Sequence, residues 1–202
     1  MALLIPEEPD FESSQAERVV WEALATQLPD DAVLLHGQRL TDDRNDVEID
    51  LLILWPGLGA VVLEVKGGVV GIENGRWYTS GSHGRNWLDR SPLEQAMVGK
   101  HTLYTYLRSR LSAVLTPVVY AAALPFSTLP RDWDVPDAPR ELLFDGDQVD
   151  RLADGLATLL RKSYDPDRDD LFVPVDPTVR ALRRTHEAMQ NIPQWARQIE
   201  QT

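Results

Sequence analysis

The 202-residue sequence predicts an α/β domain in which a mixed central sheet is flanked by helices. Three observations carry that expectation. The elements run in the order helix, several strands, helix, strand, then helices. Two of the helices open on serine-led caps. Residues 48–68, "EIDLLILWPGLGAVVLEVKGG", set two apolar runs on either side of a Trp-Pro-Gly turn, the pattern of a strand pair packed inside a sheet.

In chain order, residues 14–28 space Ala16, Val19, Val20, Ala23, Leu24 and Leu28 along one helical face, and Ser14 with Glu17 forms a capping-box pattern. "PDD" breaks the chain before a strand over 32–40, and a polar link leads into strands at 47–55 and 59–67. Asn74-Gly75 marks a further hairpin, and 80–90 reads as loop. Ser91-Pro92-Leu93-Glu94 starts a helix expected to reach residue 112. Residues 116–126 form a buried strand, and a Pro/Asp-rich loop runs to about 140. Residues 145–163 make an amphipathic helix with Val149, Leu152, Leu156, Leu159 and Leu160 on one side. Residues 176–200 read as helix up to a break near Pro193. The division expected is a domain over 1–163 and a helical C-terminal extension or linker over 164–202.

Composition narrows the chemistry. The absence of cysteine removes disulfides and thiolate metal sites and fits a reducing, cytoplasmic setting. The N-terminus lacks a basic segment and has only a four-residue apolar run, so it does not resemble a signal peptide. No stretch approaches the ~18 apolar residues of a membrane span. A net charge of −12 argues against a protein that simply coats nucleic acid. Residues 64–110 nevertheless carry seven Lys/Arg against four acids, so this window is +3 while the remainder is −15. Basic charge beside an acidic motif suits a site that cuts a polyanion, and uneven surface charge also accounts for it.

That acidic motif holds the candidate chemistry. Side chains alternate along a strand, so Glu64 and Lys66 share a face while Val65 points away. A hairpin about Pro56-Gly57 brings Asp50 opposite residues 63–65. Two carboxylates so placed repel each other, and a divalent cation satisfies both. Lys66, as a cation at a strand end, could align and deprotonate a water there. Cross-strand ion pairing at an exposed hairpin end is the other reading that the residues leave open. His36, His83, His101 and His186 show no His-x-x-x-His spacing, which disfavours zinc. No Walker loop, nucleophile elbow or dinucleotide fingerprint is present.

Residues 14 to about 125 resemble the NERD (nuclease-related domain) family of the PD-(D/E)xK nuclease superfamily. The likeness rests on a helix bearing Glu17, "EIDLLIL" with Asp50, "VVLEVKGG" with Glu64 and Lys66, and "SPLEQA" with Gln95. It implies a restriction-endonuclease-like sheet and a metal-dependent DNA nuclease leaving 5′-phosphate and 3′-hydroxyl ends. By resemblance, Asp50, Glu64 and the Val65 carbonyl look like ligands to Mg²⁺ or Mn²⁺. Lys66 resembles the catalytic lysine, Gln95 the glutamine that braces the site, and Glu17 the helix carboxylate that holds a metal-bound water or a second ion. The capping box alone also explains Glu17, and Gln95 also reads as a surface helix residue. Arg85, Arg90, His83 and Lys100 are the candidate nucleic-acid contacts, with Trp77, Tyr78 and Trp87 nearby to stack bases or to cover a core edge. DNA is the implied substrate, with RNA not excluded. The family also suggests a helicase partner or fused domain. A binding module without turnover is the alternative.

Overall fold

The computed structural model describes residues 1–11, 14–41, 46–82, 84–111, 117–169 and 175–190, the side chains of Thr41 and of 183–190 excepted. Its elements are β1 (Leu3–Ile5), α1 (Gln15–Gln27), β2 (Val33–Thr41), β3 (Asp46–Trp55), β4 (Gly59–Val65), β5 (Val69–Glu73), β6 (Arg76–Gly81) and β7 (Gly84–Trp87). They continue with α2 (Pro92–Arg108), β8 (Val118–Leu124), β9 (Leu143–Asp145), α3 (Leu152–Ser163) and α4 (Val175–Gln190). A six-stranded sheet in the order β1-β2-β3-β4-β8-β9 is mixed: β2, β3 and β4 are antiparallel neighbours, while β1–β2, β4–β8 and β8–β9 are parallel. The small antiparallel sheet β5-β6-β7 lies in the connection between β4 and β8.

Strand alternation divides the core into two layers. Leu51, Ile53, Val61, Leu63, Val119 and Ala121 face α1 and α3, against Val20, Leu24, Leu156 and Leu160. Leu52, Leu54, Ala60 and Val62 face α2 and α4, against Leu103, Leu107, Val179 and Leu182. Apolar side chains on both faces give the near-continuous hydrophobic runs of 51–54 and 60–63. The serine half of each expected cap forms, with Ser14 Oγ accepting the Glu17 N–H at 3.4 Å and Ser91 Oγ accepting the Glu94 N–H at 3.0 Å. The Ser14 N–H donates to the Phe11 carbonyl at 2.7 Å, so Glu17 does not close the expected capping box.

Several expectations need correction. Residues 80–90 are not all loop, because β7 pairs Arg85 with Ser80 and Trp87 with Tyr78. α2 ends at Arg108, short of 112, with a chain turn at Ser109. The 145–163 segment is not one α-helix: a 3₁₀ turn over Gly146–Arg151 precedes α3, capped by the Asp145 side chain on the Asp147 N–H. The described start of α4 packs into the core through Val179 and Leu182, and Tyr106 donates to the Ala181 carbonyl at 3.2 Å. Pro193 lies outside the described residues. No described helix is long and apolar enough to cross a membrane.

Candidate functional site

The site forms where β3 and β4 part. Their ladder ends at Leu51–Leu63, so the next pair, Asp50 and Glu64, is not joined through the backbone. The Val65 N–H that pairing would have used is taken by the Asp50 side chain, whose Oδ2 accepts it at 2.7 Å. Asp50 also sits at a slip in the alternation. Ile49 and Leu52 both reach the α2 layer although they are three residues apart, an odd spacing that regular alternation forbids. Gly37, at φ 60°, lies between the β2 residues that pair with Leu51 and Ile49. A left-handed residue re-aims the strand locally, and glycine adopts that conformation without a Cβ penalty.

β4 stays paired to β8 through Glu64–Ala122 and Val65–Ala123, and the Lys66 N–H donates to the Ala123 carbonyl at 3.0 Å. Glu64 is thereby held inside the fold at 6% exposure. The Lys66 ammonium donates to Glu64 Oε1 and, at 2.9 Å, to Gln95 Oε1. Gln95 is fixed in turn, because its Nε2 donates to the Arg90 carbonyl at 3.1 Å. Lys66 is therefore no exposed cation: its side chain is 19% exposed. From the other layer, Glu17 Oε2 on α1 lies 2.8 Å from His36 Nε2 on β2. His36 is packed edge-on against Phe11 and Trp21, with ring centroids at 5.0 and 6.0 Å.

Electrostatics separates the three carboxyls. Burial, then the adjacent Glu64 charge, pushes Asp50 up to about 8, against the opposing pull of the Val65 N–H and Lys66. Burial also raises Glu64, although the Lys66 ammonium works against it. For Glu17 burial acts upward too, but hydrogen bonds from His36 and Ser14, with the charges of His36 and Lys66, hold it below the usual value. The centre thus contains one buried carboxyl, Glu64, and one half-buried carboxyl, Asp50, both raised, with one satisfied carboxylate beside them.

The donor set suits a hard divalent ion. Asp50 and Glu64 offer carboxylate oxygen, the Val65 carbonyl lies between Glu64 and Lys66 in sequence, and the chain has no thiolate. Among the described residues no three His, Asp or Glu side chains group as a metal cage. Any ion here would have at most one or two carboxylates, with water and substrate oxygen completing its shell, which is the habit of Mg²⁺ rather than of Ca²⁺.

The expected site residues are thus placed unevenly. Asp50 from β3, Glu64 and Val65 from β4, Lys66 just past the end of β4, Gln95 from α2 and Glu17 from α1 converge. The Arg85 guanidinium is paired with Glu73 and lies 4.3 Å from the centre of the Tyr78 ring. Arg90 touches the centre only through its carbonyl. Lys100 stands apart over Tyr120, 5.2 Å from the ring centre, in a cleft shared with Tyr104 and Arg168. Burial and the Arg168 charge lower its pKa. His83 lies outside the described residues. His36 was missed: its partner is 19 residues away on another element, and a single histidine carries no spacing signal.

A family model described as nuclease-related domain matches residues 12–124. No curated protein and no solved structure matches the chain.

Proposed function

For a chain that belongs to the nuclease-related domain (NERD) family, we propose divalent-metal-dependent hydrolysis of DNA phosphodiester bonds at Asp50, Glu64 and Lys66, on a PD-(D/E)xK-type arrangement. The observation that carries this reading is the convergence itself. A buried carboxyl, Glu64, and a half-buried one, Asp50, stand together where a strand pair opens, with a lysine held against Glu64 by a glutamine from another element. Burying like charges together is costly, and a structural ion pair would need only one acid and one base.

Asp50 and Glu64, with the Val65 carbonyl, would hold Mg²⁺ or Mn²⁺. When bound, the ion neutralises charge on the scissile phosphate and acidifies a water. Lys66 has three N–H donors, and Glu64 and Gln95 take two. The third serves the attacking water or a phosphate oxygen, so its effect is greatest as negative charge builds in the transition state. Gln95 fixes where the ammonium points. Glu17, kept ionised by His36, can accept a hydrogen bond from a water of the ion's shell. Products with 5′-phosphate and 3′-hydroxyl ends, and action beside a helicase in DNA processing, repair or defence, extend this reading from the family.

A second reading, a nucleic-acid- or partner-binding module without turnover, draws on the −12 net charge and on the absence of a three-residue metal cage among the described residues. Incubation of the purified protein with linear, circular and single-stranded DNA and with RNA, in Mn²⁺ and in chelator, separates the two. Mn²⁺-dependent cutting supports the nuclease, and relaxation or linearisation of the circle marks an endonuclease. Mn²⁺ binding with no cutting of any substrate leaves the binding module.

A further inference from the structure

We propose that the outer face of the small sheet β5-β6-β7 is a stacking platform for unpaired bases of single-stranded DNA beside the cleavage site. The proposal takes its substrate from the nuclease reading.

The sheet starts at the site. Only Gly67 and Gly68 separate Lys66 from β5, so Val69 lies at most about 11 Å from Lys66 along the chain. Gly68, at φ 71°, crosses so close to β6 that a Cβ there would sit 2.5 Å from the Ser80 carbonyl oxygen. Val69 pairs with Ser80, and Ser80 with Arg85, so the Arg85 end of the sheet is the end next to Lys66. The sheet has two distinct faces. Val70 and Trp77 are buried against Leu93, Ala122 and Leu124. The opposite face carries Arg76 and Tyr78 from β6 and Arg85 and Trp87 from β7, by register and alternation.

Those four side chains form a ladder. The Arg85 guanidinium lies 4.3 Å from the Tyr78 ring centre, Tyr78 meets Trp87 at 5.5 Å, and Arg76 lies 4.9 Å from the Trp87 ring centre. Gly71 makes room for it: a Cβ there would sit 2.4 Å from the Tyr78 hydroxyl oxygen. All of β7 is exposed, and Trp87 is 40% exposed. Arg76 has no ion-pair partner among the described residues, and it also lines a cleft of about 570 Å³ with Trp77 and Arg90.

Charge and shape together select the occupant. In a chain of net −12, this face sets two arginines against the single acid Glu73, which is complementary to a polyanion. Cations alternating with rings match the alternation of phosphate and base along a single strand. Duplex bases already stack on one another and cannot use the rings.

The test is fluorescence anisotropy of a labelled 20-nucleotide DNA, single-stranded or duplex, with wild type, Trp87→Ala and Trp87→Phe in chelator, so that nothing is cut. Wild type should bind the single strand, and Trp87→Ala should weaken that binding about tenfold, the usual effect of removing one exposed stacking ring. Duplex binding should barely change, and Trp87→Phe should restore most of the loss. Absence of single-strand binding by wild type would overturn the proposal. So would Trp87→Ala matching wild type, equal losses on duplex, or tighter binding of RNA of the same sequence. Mn²⁺-dependent cleavage measured on the same wild-type sample keeps the two ideas apart. Cleavage without Trp87-dependent binding removes the platform alone, and Trp87-dependent binding without cleavage removes the nuclease alone.

Discussion

Replacing Asp50 by Asn tests whether the centre is built for a cation. Without metal, the folded chain holds the Asp50 carboxyl at about 8 against an ordinary 3.8, through burial and the neighbouring Glu64. A raised carboxyl means that the folded state binds more protons than the unfolded state between those two values. Stability of the metal-free protein therefore falls as pH rises from about 4 to about 8. Taken whole, the displacement is worth at most roughly 6 kcal/mol. Asp50 is half-buried and part of its shift comes from the Glu64 charge, which brings the usable part to the order of 1–3 kcal/mol. Asn carries no charge, and its Oδ1 can still accept the Val65 N–H. In chelator at pH 8, Asp50→Asn should melt several degrees above wild type, at about 2–4 °C per kcal/mol for this chain length. At pH 4.5 the two should nearly coincide. Mn²⁺ should then raise the wild-type melting temperature and leave the variant almost unmoved. Melts in chelator and in Mn²⁺ at both pH values provide the check. A variant less stable than wild type at pH 8 in chelator would refute the reasoning, since Asp50 would then be a structural cap on Val65 rather than a strained ligand.

Two further outcomes follow from single contacts. Gln95→Ala removes one of the two acceptors that hold the Lys66 ammonium. It should lower kcat about tenfold with KM nearly unchanged, as loss of orientation rather than of substrate binding; steady-state kinetics on a short labelled duplex would show it. Gly68→Ala would push a methyl into the Ser80 carbonyl at a left-handed backbone position. It should cost on the order of 1–3 kcal/mol by denaturant unfolding, and an unaltered midpoint would mean that the β4–β5 connection tolerates a different path.

Much of the centre was legible because its residues obey local rules. Asp50, Glu64 and Lys66 sit on apolar strands, where a charge is conspicuous and alternation says which residues share a face. Gln95 follows a helix start that sequence marks plainly. What escaped depends on non-local partners. The His36–Glu17 contact joins two elements, and the slip at Gly37 and Asp50 shows only when the two core layers are compared. β1 and β9 are three residues each, too short to show a period, and β7 lies in a Gly- and Ser-rich stretch that reads as loop. The α4 pattern announces an amphipathic helix, but nothing in it says that Val179 and Leu182 pack with the α2 layer. The burial of Lys66 was also hidden, since a lysine next to two glycines at a strand end looks solvated.

That burial shapes the most direct test. Lys66→Ala would strand Glu64 without its ammonium, so Lys66→Met, which keeps the apolar stem, belongs beside it. The measurement is Mn²⁺-dependent cleavage of labelled DNA by wild type and both variants, on samples whose Mn²⁺ binding and melting are recorded. Turnover should drop about a hundredfold or more in both variants while Mn²⁺ still binds, because Lys66 acts chiefly in the transition state. Wild-type turnover in a folded Lys66→Met protein would contradict the assignment of Lys66 to the chemistry, and a wild type that binds Mn²⁺ yet cuts no nucleic acid would contradict the nuclease itself.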